Sequence, residues 1–406
     1  MKLISKYFGG YRLVITVIVL LIYFGSCMYD TKSSIKVEKH LIGANDNYIG
    51  SNSCFTCHEK IYESYAKTTH YKTSEWIKNS AFNDELYTSD SVVYNDNLYV
   101  KVHEKNGGIY QSAYSNGLLA ATHRLDMVIG SGKKGQTFLF TNDAKFYQLP
   151  LSWAVGAQRW INSPGYPSDK VMFNRMVYVK CFECHATYAE EKLNDTEEAL
   201  FDTSKMVLSI SCETCHGPGK KHVQYHQENK ADQKGKYIIN TQVLSRQQKL
   251  DACASCHSGL RENIKPAFSF LPGNKLDDFF KPAYHKDSSA QLDVHGNQYA
   301  LLTASKCFKQ SMVLNCSSCH NVHQQETNSK QLFAQRCMNC HNDNSHNFCT
   351  EKHTDRQTLI NKCIDCHMPM QASGQINFNS ANKRETKYEL IRTHLIGIYN
   401  DKVKLN

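Results

Sequence analysis

The 406-residue sequence has no fixed-period repeat, no low-complexity tract and no long linker. These absences exclude a stacked solenoid and a string of tethered modules. It also lacks an apolar run long enough to span a bilayer. The run from Leu13 to Phe24 is about one-third short of the roughly 20 residues a spanning helix needs. Cysteine is missing from residues 91–150 and again from 368–406. Gly130 to Thr137 has the outline of a phosphate-binding loop, but Gln136 stands where that motif requires lysine. The stretch therefore reads as a turn between strands.

What the sequence has in excess is cysteine, 17 residues, and histidine, 19. Fourteen of the cysteines fall in one motif, Cys-x-x-Cys-His. It occurs as Cys54, Cys57 and His58; Cys181, Cys184 and His185; Cys212, Cys215 and His216; Cys253, Cys256 and His257; Cys316, Cys319 and His320; Cys337, Cys340 and His341; and Cys363, Cys366 and His367. Composition alone predicts about 0.03 such matches. The spacing suits covalent heme attachment. Two thiols add across the two vinyl groups of one heme, and the adjoining histidine reaches the iron from one face. The expected cofactor is heme c, seven copies, each covalently attached.

Two other chemistries use paired cysteines. Cys316, Cys319, Cys337 and Cys340 have the spacing of a zinc ribbon, and an exported chain could build a disulfide framework. Neither requires a histidine after every pair, and all seven pairs have one.

The N-terminus carries Lys2, Lys6 and Arg12 around the start of the apolar run, then Gly25, Ser26 and Cys27. Residues 1–27 read as an export signal, and a small residue before Cys27 fits a lipoprotein cleavage site. Phe24 departs from the aliphatic residue usual there; a plain signal peptide and an uncleaved anchor are the alternatives. All three place the body of the protein in the periplasm or on the outer face of a bacterial membrane, with a lipid anchor favoured. The formal charge is +9. Seven hemes would bring about fourteen propionate charges, so many lysines can neutralise propionates, and no nucleic-acid partner is expected.

Along the chain, Ile61, Tyr62 and Tyr65 have helical spacing and predict a helix in the first heme segment, residues 48–90. Leu98, Val100 and Val102 alternate with Tyr99, Lys101 and His103, which is strand period, and Asn106-Gly107 follows as a hairpin signal. Phe138 to Phe140 and Phe146 to Leu149 read as two further short strands. Residues 91–150 are thus expected to form a small antiparallel insertion, and 151–398 a six-heme region. About 54 residues per heme cannot build an ordinary side-chain core around each porphyrin, so the hemes themselves must supply much of the core.

Twelve histidines lie outside the motifs, enough for a second axial ligand at every iron. His58 and His70, twelve residues apart, would be about 18 Å apart on one helix and could not grip one iron from both sides. His320 and His323 would share a helical face, so His323 is expected to serve a neighbour's iron. His40 and His103 are expected at surface or strand positions.

Several passages resemble the cytochrome c-554 type multiheme family. They are Tyr48-Ile49-Gly50 with Cys54 to His58 and Thr69-His70; Val128 to Gly132; Leu149 to Trp153; Ser163 to Tyr166; Cys212 to Gly219 with His222; Ser305 to Ser311 with Cys316 to His323; Cys363 to Pro369; and Thr393-His394. The similarity is greatest to the cytochrome portion of tetratricopeptide-repeat multiheme cytochromes and spans roughly residues 48–398. It implies His70, His222, His323, His353 and His394 as distal ligands. Cys307 also matches, and whether it pairs with Cys349 stays open. The expected fold is mainly α, an irregular multiheme cytochrome packed around seven hemes with the β insertion at 91–150. The expected function is electron transfer between redox proteins or from a quinol-linked membrane donor. The alternative is a multiheme reductase of nitrite, hydroxylamine or tetrathionate at an iron with an open face. The Cys-x-x-Cys-Lys variant that marks the active heme of ammonia-forming nitrite reductases does not occur, and no catalytic residue is singled out.

Overall fold

The computed structural model describes residues 47–77, 91–193, 197–281, 292–326, 330–345, 347–352, 354–379 and 386–399. The chain divides into two units, Met1–Leu41 and Ile42–Asn406, and every described residue belongs to the second. The export signal, Cys27, His40 and His353 lie outside the described residues.

Strands dominate the first half. Ser91–Asn95, Leu98–Lys105, Gly108–Ser115 and Leu118–Arg124 form a four-stranded antiparallel meander. Asn106 and Gly107 have φ of 52° and 70°, the left-handed pair a two-residue hairpin requires. Asn116-Gly117 repeats the device at the next turn, with φ of 50° and 78°. Val100 and Val102 are fully buried, as their alternation predicts.

A seven-stranded sheet lies beside it in the chain. Ser74–Trp76 pairs with Met127–Ile129, which pairs with Gly135–Asn142, then Lys145–Gln148, then Arg175–Met176. Leu151–Ala154 pairs with Gly135–Asn142 and with Arg159–Asn162. The sheet is buried on both faces. Val128, Phe138 and Phe140 join one apolar cluster with Val100, Leu149, Leu151 and Trp160. Met127, Leu139 and Phe146 point the other way, into a cluster with Phe182, Ala199 and Phe201. The period of two sends neighbours to opposite faces, and each fully buried Phe contributes about 1.5–3 kcal/mol. The Gly130 to Thr137 stretch is a strand connection: Gly130 and Gly132 have φ of 111° and 74°, and Gln136 pairs with Trp153.

The expectation of a mainly α fold is therefore corrected. Seventeen strands stand against ten α-helices among the described residues, and only two of those helices exceed nine residues. Those two, Asn52–Tyr65 and Arg246–His257, both carry attachment motifs, and most other motifs occupy a single helical turn, so helix does not outweigh the several sheets. Pairing also recruits strands well outside the insertion, among them Ser74–Trp76, Arg159–Asn162 and the C-terminal hairpin Met370–Asn379 with Thr386–Arg392.

Candidate heme-attachment sites and axial ligands

The first motif lies in the helix Asn52–Tyr65, and most of the others sit on short turns with their own local causes. Cys212–His216 is a five-residue helix whose first turn is capped by Ser211, its hydroxyl accepting from Glu213 N at 3.2 Å. Cys253–His257 ends the helix Arg246–His257, which begins with a capping box between Ser245 and Gln248. Asn315 caps the single turn at Cys316–Ser318. Cysteines three apart share one face of such a turn, and the following histidine comes round beside them.

In four of the seven motifs the residue after the first cysteine is buried and anchors the turn. Phe182 is 1% exposed in the second apolar cluster, against Phe146 and Phe201. Ala254 and Ile364 are likewise buried. Glu213 is a buried carboxylate that accepts three backbone N–H groups, from Ile49 at 3.0 Å, Gly50 at 2.7 Å and Gly219 at 2.8 Å. Burial pushes its carboxyl above the usual range against the pull of those donors. Sequence reasoning missed all four. The only signal was their shared place in the motif.

Thirteen of the fourteen motif cysteines and all seven motif histidines line one cavity of 4210 Å³; Cys181 is outside its lining. A pocket for one drug-sized ligand is about 300–1,000 Å³, so this space suits several large flat groups. No three His, Cys, Asp or Glu side chains converge on a point among the described residues. A zinc ribbon requires such convergence.

The imidazoles give a sharper test of fit. A ring nitrogen bonds a transition metal at about 2 Å and lies about 1.1 Å from its ring centre, so two trans ligands place their centroids about 6.2 Å apart. Four pairs stand at that spacing: His58 with His222 at 6.4 Å, His216 with His323 at 6.1 Å, His257 with His70 at 6.1 Å, and His320 with His394 at 6.2 Å. Each pair joins a motif histidine to one from a distant segment. His70 faces His257 rather than His58, and His323 faces His216 rather than His320. Among the described residues no second imidazole stands at this spacing from His185, His341 or His367.

The ring orientations suit ligation. The Nδ1 atoms of His216, His222, His341 and His367 lie 2.9, 2.8, 3.1 and 2.7 Å from the carbonyl oxygens of Ile239, Lys236, Asn347 and Gly397. A carbonyl only accepts, so Nδ1 carries the proton and Nε2 keeps its lone pair for a metal. Burial and the facing His257 lower His70 to about 4; burial and His320 lower His394 to about 4. His185 is lowered to about 4 by burial and by His295, a cavity-lining histidine that sequence reasoning did not single out. All three are neutral at pH 7, the ligating form. His103 bonds Ser112 within its sheet, at 2.8 Å.

The motifs also touch one another. The thiol of Cys54 lies against Cys212, Cys184 against Cys256, and Cys253 against Cys316. With heme attached, these sulfurs would be thioethers at the edge of the porphyrin. The contacts link the first motif to the third, the second to the fourth and the fourth to the fifth. Arg336 donates to the Cys319 carbonyl, and Lys330 pairs with Asp365 at 2.9 Å, tying in the sixth and seventh. Cys307 and Cys349 are both free. Cys307 has Cys319, Cys337 and Cys340 as its thiol neighbours, and Cys349 has Cys363 and Cys366.

Comparison with known proteins places the fold and part of the sequence among multiheme cytochromes. The family model described as cytochrome c554 and c-prime matches residues 53–107 and 168–217. No curated protein matches the chain significantly. The crystal structure of the outer cell wall cytochrome OcwA is similar, with a TM-score of 0.54 at 15% identity, over 86% of this chain and 79% of that one. Motifs, imidazole spacing, family match and fold together identify the chain as a multiheme c-type cytochrome.

Proposed function

We propose that this chain is an extracytoplasmic cytochrome that holds seven c-type hemes and passes electrons between redox partners, either soluble proteins or a quinol-linked membrane donor. The observation that carries this reading is the set of four imidazole pairs at 6.1–6.4 Å. Such pairs would hold a heme iron between two imidazoles. Bound heme supplies reversible one-electron chemistry. The chain's own part is to fix the spacing of the groups. The four paired segments would hold the irons between imidazoles, and the thiol contacts would bring neighbouring hemes close together. Lipidation at Cys27 would hold the protein at a membrane, in keeping with the extracytoplasmic place named for OcwA.

The test is the intact mass of protein matured with heme-attachment machinery, together with its low-temperature EPR spectrum. A mass equal to the processed chain plus seven hemes, with low-spin ferric signals unchanged by nitrite, hydroxylamine or tetrathionate, is expected. Five hemes or fewer would refute the count. A high-spin signal that shifts on adding one of those compounds would replace the carrier reading with the reductase.

A further inference from the structure

Glu326 is a charged group that neither attachment nor ligation uses. It follows the fifth motif, and its side chain is 10% exposed. Its Oε2 lies 3.4 Å from Nδ1 of His320. Its Oε1 accepts from Asn321 N at 3.0 Å and from the Arg336 guanidinium. Arg336 in turn donates to the Cys319 carbonyl, inside the same motif. The carboxylate is thus held from two sides and presented to the ring nitrogen of His320 that would face away from an iron. His216, His341 and His367 place that nitrogen against neutral backbone carbonyls instead.

We infer that Glu326 is a positioning residue that lowers the reduction potential of the iron held by His320, with Arg336 setting how far. The physical cause is the charge of the acceptor. A carboxylate draws the Nδ1 proton toward itself more than a carbonyl does, which leaves the ring more electron-rich and its Nε2 a stronger donor. A stronger axial donor stabilises ferric over ferrous iron. Arg336 pulls charge from the same carboxylate and so opposes the effect. The two residues therefore act with opposite signs, which a merely structural ion pair would not do. The inference rests on the reading that the fifth motif carries a heme bound through His320.

The experiment is a spectroelectrochemical titration of the heme-loaded protein and two variants, Glu326→Gln and Arg336→Gln. In Glu326→Gln one heme component is expected to shift upward by about a tenfold change in its reduced-to-oxidised ratio at fixed potential, which is 59 mV for one electron. In Arg336→Gln the same component is expected to shift downward. Shifts of the same sign in both variants, or no shift in either, would overturn the inference. If Glu326→Gln fails to mature, Arg336→Gln decides alone: a downward shift supports the inference, and an upward shift or none overturns it. A Cys316→Ala/Cys319→Ala variant separates the two levels. A mass one heme lighter than wild type confirms that the motif is loaded. An unchanged mass removes the heme reading, and the role of Glu326 falls with it.

Discussion

Replacing Glu213 by alanine should loosen the seam between the first and third attachment motifs. The carboxylate reaches across the chain from the third motif to the backbone N–H groups of Ile49 and Gly50, just ahead of the first, and also holds Gly219. Alanine has no acceptor, so three donors lose their partner. A buried donor left unsatisfied costs about 1–3 kcal/mol. Gly219 is buried and takes about 2 of this; Ile49 and Gly50 are half-buried and lose about 1 each, because water can reach them. The expected loss is about 4 kcal/mol, against the 5–15 kcal/mol that holds an ordinary domain together. Glutamine keeps the volume but turns an NH2 group toward other donors, so Glu213→Gln should recover only part of the loss. The assay is urea unfolding of the heme-loaded protein, followed by far-UV circular dichroism and by heme absorbance. A Glu213→Ala midpoint equivalent to less than about 1 kcal/mol below wild type would refute the strap, since that is the cost of a single exposed bond.

Three further outcomes are expected. Alanine in place of His323 should open the iron opposite His216, adding one high-spin ferric signal and one equivalent of carbon monoxide binding in the reduced protein; an unchanged EPR spectrum would sink that pairing. Phe182→Ala should cost about 3–5 kcal/mol through the cavity it leaves between Phe146 and Phe201; a thermal midpoint equal to wild type would show that the second motif is not anchored there. Cys27→Ser should release the protein from membranes or block its processing; unchanged fractionation and processing would reject the lipid anchor.

The meander was legible because its causes are local. Alternating Val100 and Val102 and the left-handed Asn106-Gly107 pair act within a few residues, and Asn116-Gly117 carried the same signal unread. The seven-stranded sheet was not legible. Ser74–Trp76 is three residues long and sits in a cysteine-rich segment, and it becomes a strand only by pairing with Met127–Ile129. The helix inferred from Ile61, Tyr62 and Tyr65 was legible for the same reason as the meander, and it runs from Asn52 to Tyr65.

The sequence by itself marked where hemes would attach, because two thiols and a histidine within five residues are a complete local device. The spacing of His70 from His58 implied separate irons only along one continuous helix; that helix ends at Tyr65, and it is the packing of His70 against His257 that separates them. Only the tertiary structure decided which imidazole faces which. A second axial ligand must come from the opposite face of the porphyrin, and a motif's own turn cannot reach there. His222, His323, His70 and His394 come from segments distant in the chain, and which motif histidine each faces follows from packing, with the strap at Glu213 and the carboxylate of Glu326 set in place by the same folding.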